Sequence, residues 1–324
     1  MPRQNPSDRD QGKPGQDLLW PGAFIFGYPG QKRDSVTERG ARREAGPSWG
    51  DDGSFLVFRR LRQDVPAFRR FVHDNAWPRG LSDELLGAKL VGRWRSGAPV
   101  LRAATADVAG LGDDDCANNH FEFRDASQQL LPADQKSAED CTDRIPGTNP
   151  AQFFAASPGD KEGKICPFAG HIRKAYPRDD LNSGEGTAEE GDREPEVQRH
   201  RLLRRGIPFG RPYPDSEEER ATDDGDRGLL FLAYQTSIVE QFEYVTKRQV
   251  NDPNFKAAGA GHDPIIGQNG APAEGRRRTF AVTYRAADGT ERTDELSTTV
   301  DWVIPTGGGY FFAPSIHALE TLSQ

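Results

Sequence analysis

A chain of 324 residues with 35% hydrophobic residues, 35 glycines and 24 prolines has room for one large domain or two smaller ones, with much surface loop around the core. A formal net charge of −8 argues against a protein that grips nucleic acid by its phosphates, and the arginine clusters lie among acids as solvated faces do. Three cysteines, Cys116, Cys141 and Cys166, make no disulfide framework, and no apolar run reaches the roughly 18 residues of a membrane span; with no apolar leader visible after Met1, a reducing, cytoplasmic setting is the default expectation.

Residues 1–52 are polar and rich in Pro, Gly and Asp, and read as loop with one apolar stretch at 22–29. Residues 54–61 are rich in β-formers behind Gly53 and predict a strand. Asp64 and Pro66 then mark a helix start, with Phe68, Phe71 and Val72 at helical spacing. A second helix is expected from Ser82 through Leu85, Leu86 and Leu90. Residues 97–165 read as irregular apart from a short strand at 121–123, and the acidic stretch 179–197 as loop. Residues 199–205 look strand-like and stopped by Gly206-Ile207-Pro208, and 229–234 form a buried strand that runs into a helix capped by Ser237. Strands are expected last at 278–285, 298–304 and 310–314. Strands and helices do not alternate strictly, so the fold class is α+β with an antiparallel sheet, on a ferredoxin-like plan with long loop insertions.

Chemistry concentrates around Cys166-Pro167-Phe168-Ala169-Gly170-His171-Ile172-Arg173-Lys174. Taken bare, His171 is one histidine of six and serves structure more often than a metal. A zinc reading pairs Cys116 with His120 and Cys166 with His171, although neither spacing is that of a standard zinc site.

The stretch CPFAGHIRKAYPR (166–178) is similar to the segment of DyP-type (dye-decolourising) peroxidases that carries their proximal haem histidine. Further matches follow in order. Arg204-Arg205-Gly206-Ile207-Pro208-Phe209-Gly210 resembles the segment of their distal arginine, and 228–235 the strand lining their haem pocket. Gly261-His262-Asp263-Pro264 resembles the segment with the acidic partner of the histidine, and 307–315 their closing strand. Upstream, 53–64 and Gly92-Arg93-Trp94-Arg95-Ser96-Gly97 also match, so the resemblance runs over about residues 20–320.

The resemblance implies a fold of the dimeric α+β barrel type and a haem b (iron protoporphyrin IX) cofactor, with His171 as the iron ligand. It implies Asp263 as acceptor for the other ring nitrogen, a role that competes with an ordinary Asp-Pro turn. Arg204 is implied as the catalytic arginine, against the alternative of a surface strand arginine, and Leu229 and Phe231 as pocket wall or plain core. Hydrogen peroxide and a small reducing substrate are the implied partners. The implied reaction oxidises phenolic or dye-like donors through a ferryl species, with no nucleic acid or membrane involved and room for a homo-oligomer. The family's Gly-x-x-Asp-Gly motif, whose acid moves the peroxide proton, is not found here. Residues 1–52 are accordingly expected to be an inter-domain region left from a missing ferredoxin-like domain, and 53–324 the haem-binding domain. The rival readings are a truncated, non-catalytic haem-binding fragment and an α+β domain without cofactor.

Overall fold

The computed structural model describes residues 18–32, 35, 38–114, 117–119, 121, 123, 159–180, 194–214, 216–221, 223, 225–255, 257–268 and 275–323. Cys116, His120, Cys141 and most of the acidic stretch 179–197 lie outside the described residues.

Strands β1 (Pro29–Gln31) and β2 (Arg39–Arg42) pair as a small sheet inside the region read as loop. β3 (Ser54–Gln63) leads into helix α1 (Val65–Ala76), where the Asp64 carboxylate accepts from the Ala67 N–H. Helix α2 (Asp83–Val91) starts where the Ser82 hydroxyl accepts from the Leu85 N–H. Both caps meet backbone donors that a helix start leaves unpaired, so the chain turns where the sequence marks it. The order continues through α3 (His171–Ala175), α4 (Glu194–Arg199), β4 (Leu203–Phe209), α5 (Glu217–Ala221) and β5 (Gly228–Gln235). Helix α6 is wound as a π-helix in two pieces, Ile238–Glu243 and Val245–Val250, joined at Tyr244 and capped by Ser237 as expected. The hairpin of β6 (Arg278–Arg285) and β7 (Glu291–Thr298), the long β8 (Val303–Ala313) and α7 (Ile316–Leu322) complete it.

The main sheet has the order β4-β5-β3-β8 and is antiparallel throughout. In chain order these strands are the second, third, first and fourth of a strand–helix–strand–strand–helix–strand unit, which is the ferredoxin-like plan. The expected α+β class therefore holds. Residues before β3 pack onto this sheet: Phe26 meets Phe55 edge-on at 5.1 Å, and the Thr236 hydroxyl donates to the Gly22 carbonyl at 2.7 Å.

Four expectations about elements need correction. The strand expected at 199–205 begins at Leu203 and runs through Gly206 and Pro208 to Phe209. Proline is tolerated because β4 is an edge strand, where a missing N–H breaks no ladder. The strands expected at 298–304 and 310–314 are replaced by one continuous β8, which bonds to β3 across its glycines. Strand β7 was not expected because ERTDELST is nearly all polar, its hairpin partner β6 supplying the apolar residues instead. Phe121 and Phe123 do not lie in a strand; they are buried in irregular chain.

Two apolar cores flank the segment that carries His171. One gathers Trp94, Val100, Leu101, Leu111, Phe121, Phe123 and Cys166, the other Val72, Leu86, Leu90, Phe280, Val282, Leu296 and Ala169. Cys166 belongs to the first and Ala169 to the second, so α3 starts at their junction. Helix α2 serves both, presenting Ala88 to one and Leu86 and Leu90 to the other. It ends on Gly92 in the left-handed region (φ 97°), and a Cβ there would lie 2.9 Å from Cβ of Ile172. That glycine lets α2 and α3 approach closely. No helix of the described residues is long and apolar enough to cross a membrane.

Candidate functional site

Helix α3 is five residues long, too short to hold its shape by backbone bonds alone. Its side chains hold it. Arg173 is fully buried, and all of its N–H donors are met by Asp180, by Asp160 and by the carbonyls of Asp160 and Cys166, at 2.6–3.0 Å. Its guanidinium lies between the rings of Phe123 (4.2 Å) and Phe168 (4.4 Å). Asp160 also accepts from the Ile165 and Cys166 N–H groups, clamping the approach to the helix. Burial raises the Asp160 carboxyl above its ordinary range against the pull of Arg173, and pushes the Cys166 thiol up to about 12. Cys166 is thus a neutral packing residue.

On the other side of the helix, His171 Nδ1 lies 2.7 Å from Asp263 Oδ2. Asp263 is completely buried, while the His171 side chain is 31% exposed. The other Asp263 oxygen accepts from the N–H groups of Ile265 and Ile266. One Asp263 oxygen thus lies against the histidine and the other against the two turn N–H groups. The carboxylate oxygen can only accept, which puts a proton on Nδ1; in the neutral imidazole the lone pair is then on Nε2. Nε2 has no partner among the described residues.

Arg204, Leu229 and Phe231 share one face of the main sheet. Arg204 pairs with Ala233, Gly206 with Phe231 and Pro208 with Leu229, and paired residues, like alternate ones along a strand, point the same way. Helix α6 meets the same face through Phe242, whose ring lies 6.1 Å from that of Phe231. The Arg204 side chain makes no hydrogen bond or ion pair among the described residues.

The structure adds residues that the sequence did not single out as site residues. Arg201 stacks on the Tyr176 ring at 3.8 Å, and Arg178 lies 5.0 Å from the same ring. Arg178 and Arg93 both donate to the Asn119 side-chain oxygen. Burial lowers Arg93 to about 10, with the charges of Arg178 and Arg204 adding to it. Arg204 is lowered too, by desolvation and then by Arg201, although β4 as a whole is exposed. Amid these cations the Tyr176 hydroxyl is buried with no hydrogen-bond partner among the described residues. The cluster joins the segment after His171 to the segment before Arg204. Arg93 and Arg178 lay inside matched segments, but nothing in their spacing marked them.

Among the described residues no group of three or more His, Cys, Asp or Glu is placed to hold a metal. The zinc reading therefore finds no support there, Cys166 being sealed in the core. A comparison with models of known protein families found no match. Individual proteins do match. The chain is 36% identical over 322 residues to Peroxidase 2 of Mycetinis scorodonius, covering 96% of this chain and 52% of that protein. It is 34% identical over 322 residues to a dye-decolorizing peroxidase of Mycena epipterygia, covering 96% and 53%. Among solved structures, an ancestral D-type dye decolorizing peroxidase matches with a TM-score of 0.65 at 35% identity, over 95% of this chain and 57% of that one. A variant of the dye-decolorizing peroxidase from Pleurotus ostreatus matches with the same TM-score at 32% identity, over 96% and 57%. In sequence and in fold the chain is therefore similar to dye-decolorizing peroxidases along nearly its whole length, and it spans about half the length of the peroxidases it matches.

Proposed function

We propose that this chain holds haem b on His171 and serves a peroxidase that consumes hydrogen peroxide and oxidises small phenolic or dye-like donors. The observation that carries the reading is the 2.7 Å contact between His171 Nδ1 and the buried Asp263 carboxylate. It leaves the other nitrogen of the 31% exposed imidazole without a partner among the described residues, and a neutral imidazole nitrogen is a ligand that haem iron takes from a protein. A structural zinc needs several such ligands; a haem needs this one. The rest of the donor set also fits. Haem carries carboxylates at its edge, and Arg178 and Arg201 at the Tyr176 ring, with Arg93 beside Arg178 on Asn119, make a cationic neighbourhood suited to them.

When bound, the haem supplies the redox chemistry with peroxide. His171 holds it in place, and Asp263 fixes the imidazole tautomer and makes the ring more electron-donating. Arg204 offers N–H donors to the negative charge that develops as the peroxide O–O bond opens. Leu229 and Phe231, on the same sheet face, form an apolar wall that limits water. Residues 53–324 are the proposed haem-binding unit, with 1–52 as the inter-domain connection.

Titration of the chain with hemin tests this. A saturable Soret band is expected, lost in His171→Ala. In Arg204→Ala the band is expected to stay while peroxide turnover falls on the order of 10²–10³-fold. Failure of the wild-type chain to take up hemin at a defined ratio overturns the proposal.

A further inference from the structure

Three residues after His171, on the same short helix, Lys174 is fully buried. Its ammonium donates to the carbonyls of Asp252 (2.6 Å) and Phe255 (3.2 Å) and lies 5.6 Å from the Phe255 ring. Both acceptors belong to the loop that leaves α6 and returns at Asp263. That loop is closed at its neck by the Asp263 N–H donating to the Val250 carbonyl at 3.1 Å. Inside it, the Phe255 N–H bonds to the Asp252 carbonyl and the Gly261 N–H to the Pro253 carbonyl. Lys174 therefore fills the middle of a loop whose end carries the carboxylate that meets His171.

We infer that Lys174 is a positioning residue: by holding the carbonyls of Asp252 and Phe255 it sets the orientation of the Asp263 carboxylate against His171. This rests on the reading of His171 as the haem ligand, and it names what keeps that ligand in place. An aliphatic side chain would fill the same space without the cost of burying a charge. What the ammonium adds is two directional, charge-assisted bonds to one loop. Helix α3 thus touches the loop at two points, His171 to its end and Lys174 to its middle, so the histidine and its partner cannot shift independently. The environment is consistent with a strained bargain: burial lowers Lys174 to about 8, while Asp252 and Asp263 pull the other way.

The experiment compares wild type, Lys174→Met, Asp263→Asn and the double variant, each with and without hemin. Without hemin, amide hydrogen exchange at Asp263, Ile265 and Ile266 is expected to quicken at least tenfold in Lys174→Met, while the β3 amides stay as protected as in wild type. With hemin, the ferrous iron–histidine stretching band is expected to move to lower frequency in Asp263→Asn, and by a smaller amount in Lys174→Met. In the Asp263→Asn background Lys174→Met is expected to add no further shift. An unchanged band or unchanged loop exchange in Lys174→Met overturns the inference, as does a full additional shift in the double variant. Lys174→Gln keeps an N–H donor and covers the case in which Lys174→Met does not fold; it too must shift the band and loosen the loop, by less. Absence of any iron–histidine band in wild type counts against the haem reading, and the exchange arm still decides the role of Lys174.

Discussion

Helix α3 and strand β4 carry the two side chains proposed to face each other across a haem, and they are built in opposite ways. In α3 the charged residues Arg173 and Lys174 are buried, and every donor of Arg173 is met by the protein itself. In β4 the residues from Arg204 to Pro208 are exposed, and Arg204 has neighbours of like charge and no anionic partner among the described residues. A buried, fully paired guanidinium fixes position at the expense of desolvation. An unpaired one at a sheet edge leaves its donors for something that arrives. The contrast suits a ligand that must be held in one geometry and a group that must meet charge only as it develops.

The largest effect expected from this contrast is on folding stability. Arg173→Met leaves Asp160 and Asp180 buried without their cation, and breaking a buried pair in this way costs about 3–5 kcal/mol. Urea unfolding of the hemin-free chain measures it. Asp160→Asn should be milder, because Asp180 stays with Arg173 and the amide oxygen still serves one of the Ile165 and Cys166 N–H groups, which reach different Asp160 oxygens. If Arg173→Met costs under about 1 kcal/mol, as an exposed pair would, the helix is not held by its side chains and the comparison breaks.

Next in size is the effect of Asp263 on the ligand. Removing the acceptor behind a metal-binding histidine lowers affinity by about 10–100-fold. Asp263→Asn is therefore expected to weaken hemin binding by that range in a fluorescence-quenching titration. It keeps the oxygen that can serve the Ile265 and Ile266 turn, so the loss should come without a large change in stability. Leu229→Ala, on the sheet side, should weaken binding less. An Asp263→Asn variant with wild-type hemin affinity would show that the 2.7 Å contact orders a loop and nothing more.

The sequence made these two regions legible to different degrees. Helix starts at Asp64, Ser82 and Ser237 were visible because a capping side chain and an apolar period coincide there. The ferredoxin-like plan followed from the order of elements, and His171 and Asp263 from ordered segment matches. What stayed hidden depended on the third dimension. Burial and full pairing of Arg173 and Lys174 cannot be read from an Arg-Lys pair that elsewhere would be a solvated face. Pro208 looked like a strand stop because the edge position of β4 is a property of the sheet, not of the segment. The convergence of Arg93, Arg178, Arg201 and Arg204 draws on three separated stretches of chain, and no local period reports it.

The smallest expected effect has the sharpest sign. In the hemin-free chain the Arg204 side chain contributes no hydrogen bond among the described residues, and its cationic neighbours Arg93 and Arg201 oppose its charge. Arg204→Ala should then change stability by no more than about 0.5 kcal/mol, the usual range for surface positions, with a bias toward stabilisation from relieved repulsion. That bias should shrink as salt rises, since charges at an exposed edge are screened over about 8 Å at physiological ionic strength. Bound hemin should reverse it, because its carboxylates would turn the surrounding cations from mutual repulsion to attraction and Arg204 would gain a ligand to face. Thermal unfolding at low and high salt, with and without hemin, resolves the signs. A destabilisation of more than about 1 kcal/mol in the hemin-free chain, beyond what a surface arginine supplies, would make Arg204 part of the fold in the way Arg173 is, and the two regions would no longer differ in kind.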